Sequence, residues 1–155
     1  MLKSIEGNFS NLEVNELLVK HFIELRSVSP EGSAHVLDIA GLKDPAIKFW
    51  SLWKDKELMG IGALKFLDKN HGEFKSIRVN DKFKNRGYGL KIINHLIEEA
   101  KRLNITKLSL ETGAGEYFIP ARKLFNRCGF TVCDPFSHYR KDINSVYMSM
   151  LISND

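Results

Sequence analysis

Apolar positions recur along this chain with two periods. Leu12, Leu17, Leu18, Phe22 and Leu25 keep a helical spacing, which predicts an amphipathic helix from a cap at Asn11 to about Arg26. Leu90, Ile93, Leu96, Ile97, Ala100 and Leu103 keep the same period, with Glu98 four residues before Arg102 and the cations Lys101 and Arg102 at the end that favours positive charge. Pro120 suits the first turn of another helix, which Gly129 ends in a left-handed conformation. Runs of branched and aromatic residues predict strands over 47–53 and 58–66, joined into an antiparallel hairpin by the polar turn 54–57. Further strands are predicted over 72–80, 106–112, 130–133 and 145–151, with a weak one over 2–8. Ser29-Pro30-Glu31-Gly32-Ser33 interrupts the pattern, and a short helical turn follows from His35 to Ala40 before Gly41 and Pro45 stop it. Strands with interspersed helices and tight turns predict an α+β three-layer fold, a mixed and largely antiparallel sheet with helices on both faces, in a single domain over 1–155.

Composition adds limits. A chain of 155 residues buries roughly 68–70% of its unfolded surface and can carry one core without staples. No apolar run approaches the ~20 residues that span a bilayer, and the first residues lack a secretory pattern, so a cytoplasmic protein without a membrane segment is expected. Cys128 and Cys133 are read as structural thiols rather than a disulfide. His21, His71, His95 and His138 make no metal-binding spacing with Cys or carboxylates, so no metal is expected. A formal charge of +4 suits a polyanion; since Lys82, Lys84, Arg86 and Lys91 cluster in one place and no helix carries a continuous basic face, a local phosphate site is expected rather than a nucleic-acid surface.

That cluster surrounds Lys84-Asn85-Arg86-Gly87-Tyr88-Gly89, between a predicted strand and the helix with the clearest period. Backbone N–H groups of a glycine loop, together with the first free N–H groups of a helix, can converge on one anion. The spacing is not that of the nucleotide-hydrolase phosphate loop, which needs Gly, four intervening residues, then Gly-Lys-Ser or Gly-Lys-Thr. The dinucleotide fingerprint needs a small residue where Ile92 stands; only Glu111, at a distance suited to a ribose-binding acid, keeps that reading as a minor one.

The loop resembles the acyl-CoA-binding motif of the GNAT superfamily of N-acetyltransferases, Gln/Arg-x-x-Gly-x-Gly/Ala, with Lys84 in the first place. The run from Pro120 to Phe130 resembles that family's second signature, with Phe125 where a Tyr is usual. Ser29-Pro30-Glu31, Leu110-Glu111-Thr112-Gly113 and Asn144-Ser145-Val146-Tyr147-Met148 resemble a branch of small bacterial acetyltransferases. The resemblance implies an acyl-CoA N-acyltransferase fold whose fourth and fifth strands splay to admit the pantetheine arm, and an acetyl-CoA-dependent N-acetyltransferase. It implies that the strand backbone at Ile77, Arg78 and Val79 binds the thioester carbonyl and the pantetheine amide. The N–H groups of Asn85, Arg86, Gly87, Tyr88, Gly89 and Leu90, beside Lys84, would take the pyrophosphate, with glycine at 87 and 89 because a Cβ would hold the phosphate away.

Amide formation also needs a proton acceptor for the attacking amine and a proton for the departing thiolate. Glu73, eleven residues before Lys84, resembles the general base of the histone-acetylating branch; the alternative is a solvated glutamate at a strand edge. Glu111 is the second carboxylate expected to face the cleft, as a base or as a ligand for a cationic acceptor or a water. His35 is weighed as an alternative base or acceptor ligand against the preferred reading, an exposed or capping residue. Tyr139, Tyr117 and Tyr88 are the tyrosines to weigh as thiol acid in the absence of a hydroxyl at 125. Glu31, Asp38, Glu111 and Glu116 make cationic amines the preferred acceptors on charge. The expected partners are acetyl-CoA and a small-molecule primary amine or amino-acid-like acceptor attacking directly in a ternary complex, with a homodimer a fair expectation. The rival from another class is a non-catalytic acyl-CoA-binding regulatory module, motivated by Phe125.

Overall fold

In the computed structural model, which describes residues 2–30, 32 and 35–153, the period-two segments form a seven-stranded sheet in the order β1-β2-β3-β4-β5-β7-β6. The strands are β1 (Leu2–Glu6), β2 (Ile47–Lys54), β3 (Glu57–Phe66), β4 (His71–Val79), β5 (Lys107–Gly113), β6 (Thr131–Cys133) and β7 (Ser145–Leu151). All neighbours run antiparallel except β4 and β5, which are parallel and pair only at His71 with Lys107, Gly72 with Leu108 and Glu73 with Ser109. The helices are α1 (Leu12–Val28), α2 (Ile39–Leu42), α3 (Tyr88–Arg102) and α4 (Ile119–Arg127). Among the described residues no helix is long and apolar enough to cross a membrane.

Strand alternation divides the core in two. Phe49, Leu58, Ile61 and Ala63 meet Val14, Leu17 and Leu18 of α1 and Leu42 of α2 on one face. Trp50, Leu52, Met59, Leu64 and Phe74 meet Ile92, Ile93 and Leu96 of α3 and Phe125 of α4 on the other. The layer of α3 sits close because β3 carries Gly62 beneath it: a Cβ there would lie 2.4 Å from Leu96 Cδ1.

Local signals locate the helix ends. Asn11 caps α1, its side chain accepting from the Val14 N–H at 3.1 Å, and Gly129 follows α4 at φ 110. The short helix differs from expectation: it starts after His35, at Ile39, and includes Gly41. Asp38 is the reason, since its carboxylate accepts the Gly41 N–H at 2.8 Å and so fixes the first turn further along the chain. Glu31, part of the motif at 29–31, lies outside the described residues.

Candidate active site

Past the Glu73–Ser109 rung, β4 and β5 have no further pairs and a wedge opens between them. β4 carries a bulge at this point. Ile61 pairs with Arg78 and Ala63 with Lys75, so Ser76 and Ile77 together oppose Gly62, and Ser76 takes the left-handed φ of 55. The edge of β4 from Ile77 to Val79 thus keeps β3 on one side and has no strand on the other.

The chain leaves β4 through a 3-10 turn, Asp81–Phe83, and reaches α3 by a loop in which Asn85 (φ 60) and Gly87 (φ 80) are left-handed. No side chain caps α3, which leaves its first-turn N–H groups without a side-chain acceptor at the cap. The protein itself gives each of the two glycines a further reason. A Cβ on Gly87 would meet open space, so its backbone angle is what requires glycine there. A Cβ on Gly89 would lie 2.6 Å from Leu124 Cδ2, so that glycine is required by the approach of α4.

Cations surround the loop. Lys54, Arg86 and Lys91 lie 5.5, 5.7 and 5.2 Å from the Tyr88 ring centre, and Lys54 Nζ donates to Tyr88 Oη at 3.3 Å, which lowers the pKa of that phenol. Lys84 pairs with Asp81 at 2.9 Å. Arg78 is buried, and its guanidinium reaches Glu24 of α1 at 2.6 Å and Asp81 at 3.2 Å, so its side chain ties α1 to the loop and only its backbone faces the wedge. Asp81 also bonds Lys20, and these cations hold its carboxyl far below the usual range. A helix head with free N–H groups, ringed by cations and joined to an unpaired strand edge, fits a diphosphate followed by an amide-bearing arm.

On the α1 face the wedge opens into a cavity of about 240 Å³, whose lining includes Glu73, Lys75, Ser76, Glu111, His35 and Phe118. Glu73 is 2% exposed, which excludes the solvated-edge alternative: β4 is an interior strand. Its Oε2 accepts from Tyr139 Oη at 2.6 Å and from Lys75 Nζ at 3.2 Å, and Lys75 Nζ also donates to Tyr139 Oη at 3.1 Å. Burial, with Glu73 close by, pushes the Tyr139 hydroxyl far up. Glu111 Oε2 accepts from Ser145 Oγ at 2.8 Å; burial pushes its carboxyl above the usual range, opposed by Ser145, His35 and Lys75. Both expected carboxylates therefore line one cavity.

Several expectations change. His35 is half-buried, lines the cavity and meets Tyr139 edge-on at 5.1 Å between ring centres. Of the acids expected to favour cations, Asp38 caps α2 and Glu116 is exposed, which leaves Glu111 at the cavity among those described. Phe125 is turned into the core against Phe130, Tyr117 Oη donates to Glu24, and Tyr139 Oη donates to Glu73, so each phenol has a protein partner. Lys75 and Ser76, which line the cavity, and Ser145, which bonds Glu111, were not anticipated as site residues; the spacing of two between Glu73 and Lys75 was the available signal for Lys75. Both cysteines are free thiols and neither lines the cavity. Among the described residues, no group of three or more His, Cys, Asp or Glu could hold a metal ion.

Residues 12–130 match the model of a family described as acetyltransferase (GNAT). The chain is 43% identical over 137 residues to YsnE of Bacillus subtilis, an uncharacterized N-acetyltransferase, covering 88% of this chain and 91% of that protein. It is 38% identical over 139 residues to YedL of Escherichia coli, another uncharacterized N-acetyltransferase, covering 90% and 87% respectively. A Bacillus subtilis acetyltransferase solved in complex with CoA superposes with a TM-score of 0.72 at 20% identity, over 99% of this chain and 100% of that one, which shows the shared fold.

Proposed function

The chain belongs to the GNAT acetyltransferase family, and on that premise we propose that it transfers acetyl from acetyl-CoA to the primary amine of a small or amino-acid-like acceptor, by direct attack in a ternary complex. The observation that carries this reading is the placement of Glu111 and Glu73 in one small cavity where β4 and β5 part.

In this reading the N–H groups from Asn85 to Leu90 hold the pyrophosphate and the edge from Ile77 to Val79 holds the arm and the thioester carbonyl, so the acyl carbon arrives at the cavity. Glu111 is the first choice of base. It is bonded by one neutral hydroxyl, and burial raises its proton affinity toward that of a base working near neutrality. Glu73 is the companion carboxylate; its Oε2 carries two donors, and it holds Lys75 and Tyr139 in place. An alkylammonium passes one proton to the base, its nitrogen bonds the acyl carbon, the C–S bond breaks, and the second amine proton ends on the departing sulfur as thiol. Cys128, packed against the core, and Cys133, on a short edge strand, are poorly placed to carry acyl, which supports direct attack.

Thiol release from acetyl-CoA, followed across a panel of primary amines, tests the reading. Amine-dependent release is expected. Acetyl-CoA binding with no release by any amine would favour the binding-only module that Phe125 first suggests.

A further inference from the structure

Two hydrogen-bond donors in the cavity remain unmatched once the Glu73 network is complete. Lys75 Nζ has three N–H groups, of which one goes to Glu73 and one to Tyr139. Ser76 Oγ is buried and has no partner among the described residues. The two residues are adjacent, and the bulge that gives Ser76 its left-handed φ brings both to the lining of one cavity, where strict alternation would send them to opposite faces. A buried donor without a partner is destabilising, so this corner suits a ligand that accepts hydrogen bonds.

Charge specifies that ligand further. Glu73 is matched by Lys75, whereas Glu111 is bonded by the neutral Ser145 hydroxyl. The cavity therefore offers a carboxylate to a cation on the β5 side and a donor pair to an anion on the β4 side. An ion of one sign satisfies half of it and leaves the other half desolvated, whereas a zwitterion satisfies both. A volume of about 240 Å³ restricts the ligand to a small one.

The geometry points to an amino carboxylate as the acceptor, an α-amino acid or close homologue, whose carboxylate accepts from Lys75 Nζ and Ser76 Oγ while its ammonium faces Glu111. This rests on the cavity being the acceptor site. It replaces the preference for purely cationic amines that the acidic residues suggest from sequence alone.

The test uses matched triplets: each common small amino acid, its carboxamide and its decarboxylated amine, with thiol release from acetyl-CoA as the readout. For the best substrate, kcat/KM of the free acid is expected to exceed that of the amide and of the amine by about tenfold or more, the scale of one charge-assisted hydrogen bond. Ser76→Ala and Lys75→Met should each bring the acid-to-amide ratio toward one. Lys75→Met removes the cation from buried Glu73 and endangers folding, so Ser76→Ala, which keeps that pair, is the deciding variant. Amides or simple amines turned over as well as the acids, or a ratio unchanged in Ser76→Ala, would overturn the carboxylate site and leave amine acetylation standing. No release with any member, while calorimetry still detects acetyl-CoA binding, would overturn the small-amine reading and this inference together.

Discussion

Tyr139 reaches back across 66 residues of chain to give Glu73 Oε2 a 2.6 Å hydrogen bond. The loop before β7 is thereby fastened to β4 at the last rung before the wedge, with Phe136, Tyr147 and His35 packed around the Tyr139 ring. A carboxylate this deep needs donors, and the loop supplies one of them.

Tyr139→Phe keeps the ring and removes the donor. Loss of a hydrogen bond to a buried charged group is expected to lower stability by about 1–3 kcal/mol. For a domain of this size that is a fall in Tm of roughly 2–4 °C per kcal/mol, which thermal unfolding measures. An unchanged Tm would mean that the loop is held by ring packing alone.

Glu111→Gln should lower kcat by about 100- to 10,000-fold with acetyl-CoA affinity nearly unchanged, since only the base is removed. Because burial raises this carboxyl, the acidic limb of the wild-type kcat/KM profile should fall off above the ordinary glutamate range near ~4.3 and flatten in the variant. The sign follows from the base having to be ionised: activity is lost as pH drops through the raised value. Glu73→Gln, measured beside it, decides between the two carboxylates. A larger kcat loss in that variant, with folding intact, would give the base role to Glu73.

Gly87→Val places a β-branched side chain at a φ of 80 with open space around it, so the effect is on the backbone. The loop must leave its left-handed conformation, and N–H groups proposed to hold the pyrophosphate move with it. Acetyl-CoA affinity by calorimetry is expected to fall about tenfold or more, the equivalent of one lost charge-assisted contact. Equal affinity would put the cofactor elsewhere. Gly89→Val is the poorer probe, because it strains the contact with Leu124 whatever is bound.

Legibility from sequence divides along the same line as local and distant contacts. The Asn11 cap, the buried stripe of α3, the hairpin and the left-handed Gly129 depend on residues within a few positions of one another, and each could be read directly. The wedge could not, since parallel pairing between β4 and β5 joins segments separated by a helix; only the family resemblance implied it. The face of each β4 residue was also hidden. Alternation from Glu73 assigns Ile77 to the α1 face, but the bulge shifts the count, so that Arg78 meets Glu24 of α1 while Ile77 and Val79 join the opposite core with Phe74. Glu73 and Glu111 were found as acids at strand positions, while their partners Tyr139 and Ser145 arrive from a loop and a strand that no local pattern connects to them.

His21 gives the last prediction. It lies in α1, is 6% exposed, and its Nδ1 has no partner among the described residues. Burial pushes its imidazole down to about 4 from an ordinary 6.5; the Arg78 cation pushes the same way and Glu24 opposes. Between those two values the unfolded chain binds a proton that the folded chain refuses, so stability rises with pH across that window and is lost as pH falls through it. The loss should reach about 3 kcal/mol by pH 4 and should be absent above pH 7. The neighbouring carboxylates Glu24 and Asp81 are both held low by their cation partners, so the stability their ion pairs give is lost only as pH falls through the ordinary carboxylate range and below, at the acid end of this window. His21→Leu keeps an apolar filling and deletes the titration. Chemical denaturation at pH 7 and pH 4.5 should therefore show a drop in stability for the wild type that is about 2–3 kcal/mol larger than the drop for the variant. Equal drops would mean that His21 takes up its proton in the folded state at an ordinary pH, with α1 moving off the sheet enough to hydrate it.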